Sequence, residues 1–130
     1  MPSPADVLVL STATHGEPVT AYGAAIRDRL PDYDVAVAST PSEERELIEN
    51  VPYVTGRAID EELLERAEGM ELFACGYAGT DHLPMDALRA AGVTVTNAAG
   101  VHGPNAAEQV IGAILASVRR FEVGQRRQSR

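Results

Sequence analysis

The chain has no lysine and no tryptophan, only two phenylalanines and a single cysteine. Each shortage excludes something. Aromatic residues make up 5% of the chain and hydrophobic residues 45%, so the core has to be built of Ala, Val, Leu and Ile. One cysteine, Cys75, excludes an internal disulfide and suits a reducing compartment. No apolar run approaches the roughly 18 residues of a membrane span. The opening Met-Pro-Ser-Pro-Ala-Asp lacks the basic region of a signal peptide. A soluble, cytoplasmic protein with no membrane partner is the expectation, and 130 residues suffice for one core without staples.

The charge is lopsided. All 11 basic residues are Arg, against 19 Asp plus Glu, for a net charge of −8. Residues 1–90 hold 17 acids and six Arg, whereas 91–130 hold two acids and five Arg. An acidic surface of the first kind repels phosphate backbones, so nucleic acid is not an expected partner. Concentrated salt screens such a surface and makes its self-repulsion cheap. A halophilic, haloarchaeal source is one reading of the Lys-free acidity; a GC-rich genome with an ordinary acidic bias is the other.

Periodicity predicts alternating strands and helices. Asp6–Leu10 reads as the first strand, its continuous apolar run Val7–Leu10 as in a strand buried on both faces. Val19, Tyr22, Ile26 and Leu30 recur at helical spacing after Pro18, and Pro31 ends that helix. Residues 34–38 read as a second strand. Thr40-Pro41-Ser42-Glu43 reads as a capping box opening a helix to about Asn50. Residues 51–55 form a third strand closed by Gly56, and Asp60 caps a helix through about Glu68. Residues 71–75 are a fourth strand, 84–91 a helix with Gly92 at its end, and 93–96 a fifth strand. A long helix is expected from Pro104 to about Phe121, then a frayed basic tail at 125–130. The fold class expected is α/β: a flavodoxin-like, doubly wound five-stranded parallel sheet, order 2-1-3-4-5, with helices on both faces.

Ligands of such sheets bind beyond the carboxyl ends of the strands. Tyr77-Ala78-Gly79-Thr80 stands at the mouth of the fourth strand and offers successive backbone N–H groups, donors suited to a carboxylate. The plainer reading is a tight turn that needs glycine for its dihedrals. Thr55 and Gly56 end the neighbouring strand, either as ligand contacts or as an ordinary strand-to-helix loop. Arg57 reads as a solvated partner of the acidic surface, with Asp60 and Glu61 close in sequence. His15, His82 and His102 fall in loops without a carboxylate orienter at fixed spacing, and no metal-ligand pattern joins them. Cys75 reads as inert packing at a strand end. No metal site is expected.

The stretch Gly79, Asp81, Gly92, Val93, Val95, Asn97 resembles the D-2-hydroxyacid dehydrogenases, whose substrate domain carries Gly-x-Asp, a short helix, then Gly-[Ile/Val]-x-Val-x-Asn. Asn105-Ala106-Ala107-Glu108 is similar to the family's opening of the helix that crosses to its nucleotide domain. His82 and Pro84 depart from the usual Asn and Asp. The resemblance implies that the amides of Ala78 and Gly79 hold a substrate carboxylate and that Thr55 and Gly56 line the substrate's other side. It implies Asn105 near the nicotinamide of NAD or NADP, and Glu108 as a structural anchor. The substrate implied is a small 2-oxo or 2-hydroxy carboxylic acid.

Residues 1–100 then form the substrate-binding domain, 101–121 the interdomain helix and 122–130 a tail. No Gly-x-Gly-x-x-Gly occurs among the 11 glycines. The family's catalytic His, Glu and Arg have no counterparts here, so this chain contributes no catalytic residue. The expectation is a dehydrogenase lacking its nucleotide-binding domain, inactive alone and with no cofactor bound. The apolar residues of 104–121 exceed one stripe, which predicts a homodimer through that helix. The alternative is a stand-alone flavodoxin-like carboxylate-binding or regulatory module. A phosphoacceptor receiver needs acids where Ser11-Thr12 and Thr55 stand.

Overall fold

A computed structural model describes residues 4–13 and 16–128; Thr14, His15, the first three residues and the last two lie outside them. The chain divides into two units, Met1–Ala98 and Ala99–Arg130.

The first unit runs β1 (Val7–Val9), α1 (Val19–Arg29), β2 (Val35–Val37), α2 (Pro41–Leu47), β3 (Tyr53–Gly56), α3 (Glu61–Arg66), β4 (Leu72–Cys75), α4 (Met85–Ala90) and β5 (Thr94–Thr96). All pairings are parallel and the order is β2-β1-β3-β4-β5, as the alternation predicts. Period-two alternation sorts the side chains. Leu8, Leu10, Val54, Phe73 and Cys75 pack with Leu63, Leu64 and Leu88 of α3 and α4. Val7, Val9, Val35 and Tyr53 face Tyr22 and Ile26 of α1. Helix α1 therefore covers one face, and α3 and α4, with Ile48 just past α2, cover the other.

The predicted caps are present. Thr40 Oγ1 accepts from the Glu43 amide at 3.2 Å, and the Glu43 carboxylate reaches back to the Ser39 amide at 2.7 Å. Asp60 accepts from the Leu63 amide at 2.8 Å. Gly92 holds φ 73° just past α4, the left-handed stop expected of it. The third strand starts later than read, at Tyr53. Pro52 has no N–H for a ladder, but its carbonyl accepts from Glu71 and Leu72 and brings β4 into register. Gly56 closes the strand from within, as the last residue of β3, paired with Cys75.

The second unit corrects the reading of the carboxyl end. The long helix, α5 (Gly103–Val118), stops short of Phe121, and the described part of the expected frayed tail, to Gln128, belongs to a further helix, α6 (Phe121–Gln128). Arg120 adopts φ 55°. Its amide ends α5 on Ser117 O, and its carbonyl begins α6 by accepting from Val123 and Gly124. Composition favours the extra helix: Glu122 stands in its first turn and Arg126 and Arg127 in its last, each against the opposite end of the helix dipole.

Candidate functional site

The carboxyl ends of β1, β3 and β4 are drawn together by glycine. The Gly76 amide donates to Gly56 O at 2.9 Å, and the Leu10 amide donates to Thr55 O at 2.9 Å. A Cβ at Gly56 would stand 2.8 Å from Leu10 Cδ1, and one at Gly76 would stand 3.1 Å from Ala13 O. Thr55 is buried, and its Oγ1 donates to Ala74 O at 3.0 Å. Its side chain is committed to the sheet, as the Gly56 carbonyl is to Gly76.

The loop after β4 is arranged differently. The Tyr77 carbonyl accepts from the Ala98 amide at 2.9 Å, and the Ala78 carbonyl accepts from Asn97 Nδ2 at 2.6 Å. In a trans peptide the N–H points opposite to the carbonyl of the preceding residue. Two successive carbonyls turned toward the end of β5 therefore turn the amides of Ala78 and Gly79 away from it. Gly79 itself is exposed, is not among the glycines of positive φ, and would meet nothing within 4 Å if it carried a Cβ. The tight-turn explanation thus fails at this residue: neither the dihedrals nor the packing of this chain requires glycine there.

Beside the loop lies a cluster that sequence reasoning left dispersed. The Arg57 guanidinium sits 5.1 Å over the Tyr77 ring, and the His82 ring meets the same tyrosine edge-on with centroids 5.4 Å apart. Arg57 O accepts from His82 Nε2 at 2.6 Å and from Cys75 Sγ at 3.6 Å. A carbonyl only accepts, so Nε2 is the ring nitrogen that carries the proton in this contact. Arg57 is half-buried, with its Nε wholly covered. It is not the freely solvated surface arginine expected. The missed signal was register: Arg57 follows Gly56, which pairs with Cys75, two residues before Tyr77.

Asn105 and Glu108 belong to the second unit, both exposed, Asn105 as the third residue of α5. Among the described residues no group of His, Cys, Asp and Glu could hold a metal ion. None of their helices is long and apolar enough to cross a membrane. A cavity of about 390 Å³ opens on the α1 face of the sheet between Tyr22, Ile26, Tyr53 and Leu72. Its apolar lining suits packing rather than the strand-end chemistry.

The family model for the D-isomer specific 2-hydroxyacid dehydrogenase catalytic domain matches residues 7–113. The chain belongs to this family. Comparison with curated proteins finds no match. Among solved structures, the TT0316 protein of Thermus thermophilus is 26% identical, with a TM-score of 0.61 over 92% of this chain and 39% of that one. An NAD-dependent formate dehydrogenase from Staphylococcus aureus in complex with NAD gives 16% identity and a TM-score of 0.70 over 95% and 40%. A D-lactate dehydrogenase from Aquifex aeolicus, complexed with NAD and lactic acid, gives 23% and 0.65 over 95% and 37%. The chain thus spans about two-fifths of the length of the dehydrogenase structures it resembles.

Proposed function

We propose that this chain is the substrate-binding part of a D-2-hydroxyacid dehydrogenase, which interconverts 2-hydroxy and 2-oxo acids by hydride transfer with NAD or NADP. Its own task is to hold the carboxylate of a small 2-oxo or 2-hydroxy acid on the amides of Ala78 and Gly79. The carrying observation is the pair of carbonyls, Tyr77 and Ala78, that accept from Ala98 and Asn97, so that the amides of Ala78 and Gly79 both turn away from the end of β5. Two neutral donors suit an anion because each hydrogen bond to it is charge-assisted. Gly56 and Thr55 form the floor between β3 and β4 in this reading, Thr55 through its backbone, since its hydroxyl is engaged.

The 130 residues contain no Gly-x-Gly-x-x-Gly turn for a pyrophosphate. The first turn of α5, with Asn105, is where this chain would approach a nicotinamide. We infer that catalysis requires a nucleotide-binding partner domain and that the chain alone has no turnover. Val110, Ile111, Ile114, Leu115, Val118 and Phe121 are all more than half exposed, which supports association of two copies through α5.

The test is an NMR titration of the chain with pyruvate alongside an assay with NADH and NADPH. Shifts confined to Ala78, Gly79 and their neighbours, without turnover, are expected. Pyruvate leaving those amides unmoved defeats the carboxylate reading, and authentic turnover defeats the inference of dependence.

A further inference from the structure

We propose that Asn97 is a positioning residue that selects the anion-binding orientation of the Ala78–Gly79 peptide. The proposal rests on the carboxylate reading above. The two amides of the loop are held in different ways. The Tyr77 carbonyl is tied to the backbone of Ala98, a donor available from any residue but proline. The Ala78 carbonyl is tied to a side chain, Asn97 Nδ2, at 2.6 Å. The second bond therefore depends on the identity of residue 97.

Glycine at position 79 also leaves that peptide free to turn over. Gly79 tolerates either sign of φ, and nothing within 4 Å would obstruct even a Cβ there. A rotation of the Ala78–Gly79 plane would aim the Ala78 oxygen, in place of the Gly79 N–H, at the bound anion. One donor would be lost and a repulsive acceptor gained. The Asn97 amide group opposes that rotation because it offers the Ala78 oxygen a donor only in the observed orientation. Asn97 stands just past Thr96, the last residue of β5, and is exposed. Burial and packing give no reason for an amide there; the contact with Ala78 does.

Substitution separates positioning from structure. Asn97→Asp keeps shape and size but presents only acceptors to the Ala78 oxygen when ionised. Asn97→Ala removes the donor without adding repulsion. Thr96→Ala, one residue earlier and exposed, controls for a general weakening of β5. The measurements on the 130-residue chain are the orientation of the Gly79 N–H from residual dipolar couplings, the Kd for pyruvate, and the melting temperature.

Asn97→Asp should reorient the Gly79 amide and abolish detectable pyruvate binding, and Asn97→Ala should weaken binding by at least about tenfold. Thr96→Ala should match wild type, and all should melt close to it. If Asn97→Asp fails to fold, the Asn97→Ala result decides. Wild-type affinity in the Asn97 variants, or an unmoved Gly79 amide, overturns the role of Asn97 while leaving the carboxylate reading standing. No pyruvate binding by wild type overturns that reading and the role with it.

Discussion

A Cβ built on Gly23 would stand 2.3 Å from Cγ2 of Val37, so α1 lies on β2 at a separation that only glycine permits. Gly23 is the one buried residue of α1. Alanine is the better helix former by up to about 1 kcal/mol. Forcing a methyl into this contact costs about 1–3 kcal/mol, because a valine in a strand has little rotamer freedom with which to retreat.

Gly23→Ala should therefore lower stability by roughly 1–2 kcal/mol, several degrees in Tm for a domain of this size. At Gly112 in α5 a Cβ meets none of the chain's own atoms within 4 Å, so Gly112→Ala should not destabilise the fold of the single chain. Thermal melts of the two variants check the contrast. Equal effects of the two substitutions would mean that α1 shifts freely on the sheet.

Gly79→Pro should weaken pyruvate binding at least tenfold, since losing a charge-assisted hydrogen bond costs on the order of 1.5–3 kcal/mol. Gly79→Ala separates donor loss from crowding. Its N–H remains, its φ is not positive and its Cβ has space, so the melting temperature should hold. Any loss of affinity in the alanine variant then measures how closely the ligand approaches. An unaltered Kd in a folded Gly79→Pro variant would reduce the loop to a connection.

The sheet was legible because its signals are local. Continuous apolar runs at Val7–Leu10 and Leu72–Cys75, the caps at Thr40 and Asp60, and Gly92 after α4 each specify one element without reference to the rest. The site was legible only in outline. Gly79 was visible as a glycine at a strand end, but the direction of its amide follows from a contact with Asn97, 18 positions away, and that of Ala78 from one with Ala98. Arg57, Tyr77 and His82 likewise meet only through the pairing of β3 with β4. The tail was misread because composition, read as disorder, hid the charge order that suits α6.

Salt dependence follows from the Lys-free acidic surface. If the acidity is an adaptation to concentrated salt, melting temperature should rise steadily with molar KCl. Simple screening is nearly complete by about 0.5 M, where the Debye length is only a few Å. A curve that is flat beyond that concentration would assign the composition to the genome instead.

The proposed association of two copies would rest on α5. Val118 is 73% exposed, and Ile111, Ile114 and Leu115 are 57%, 55% and 52% exposed. A contiguous apolar surface of this kind usually marks an interface. Gly112 and the small Ala113 and Ala116 leave room for a second backbone to approach. A two-fold pairing of α5 with its copy satisfies both copies with one surface. The acid-poor composition of residues 91–130 lowers the repulsion such a pairing would meet. Sedimentation at micromolar concentration should show a dimer. Ile114→Glu buries a carboxylate in that interface, which is strongly unfavourable without a partner, and should yield monomer with the first unit still folded. Wild type sedimenting as monomer throughout, or Ile114→Glu remaining dimeric, would remove α5 as the interface.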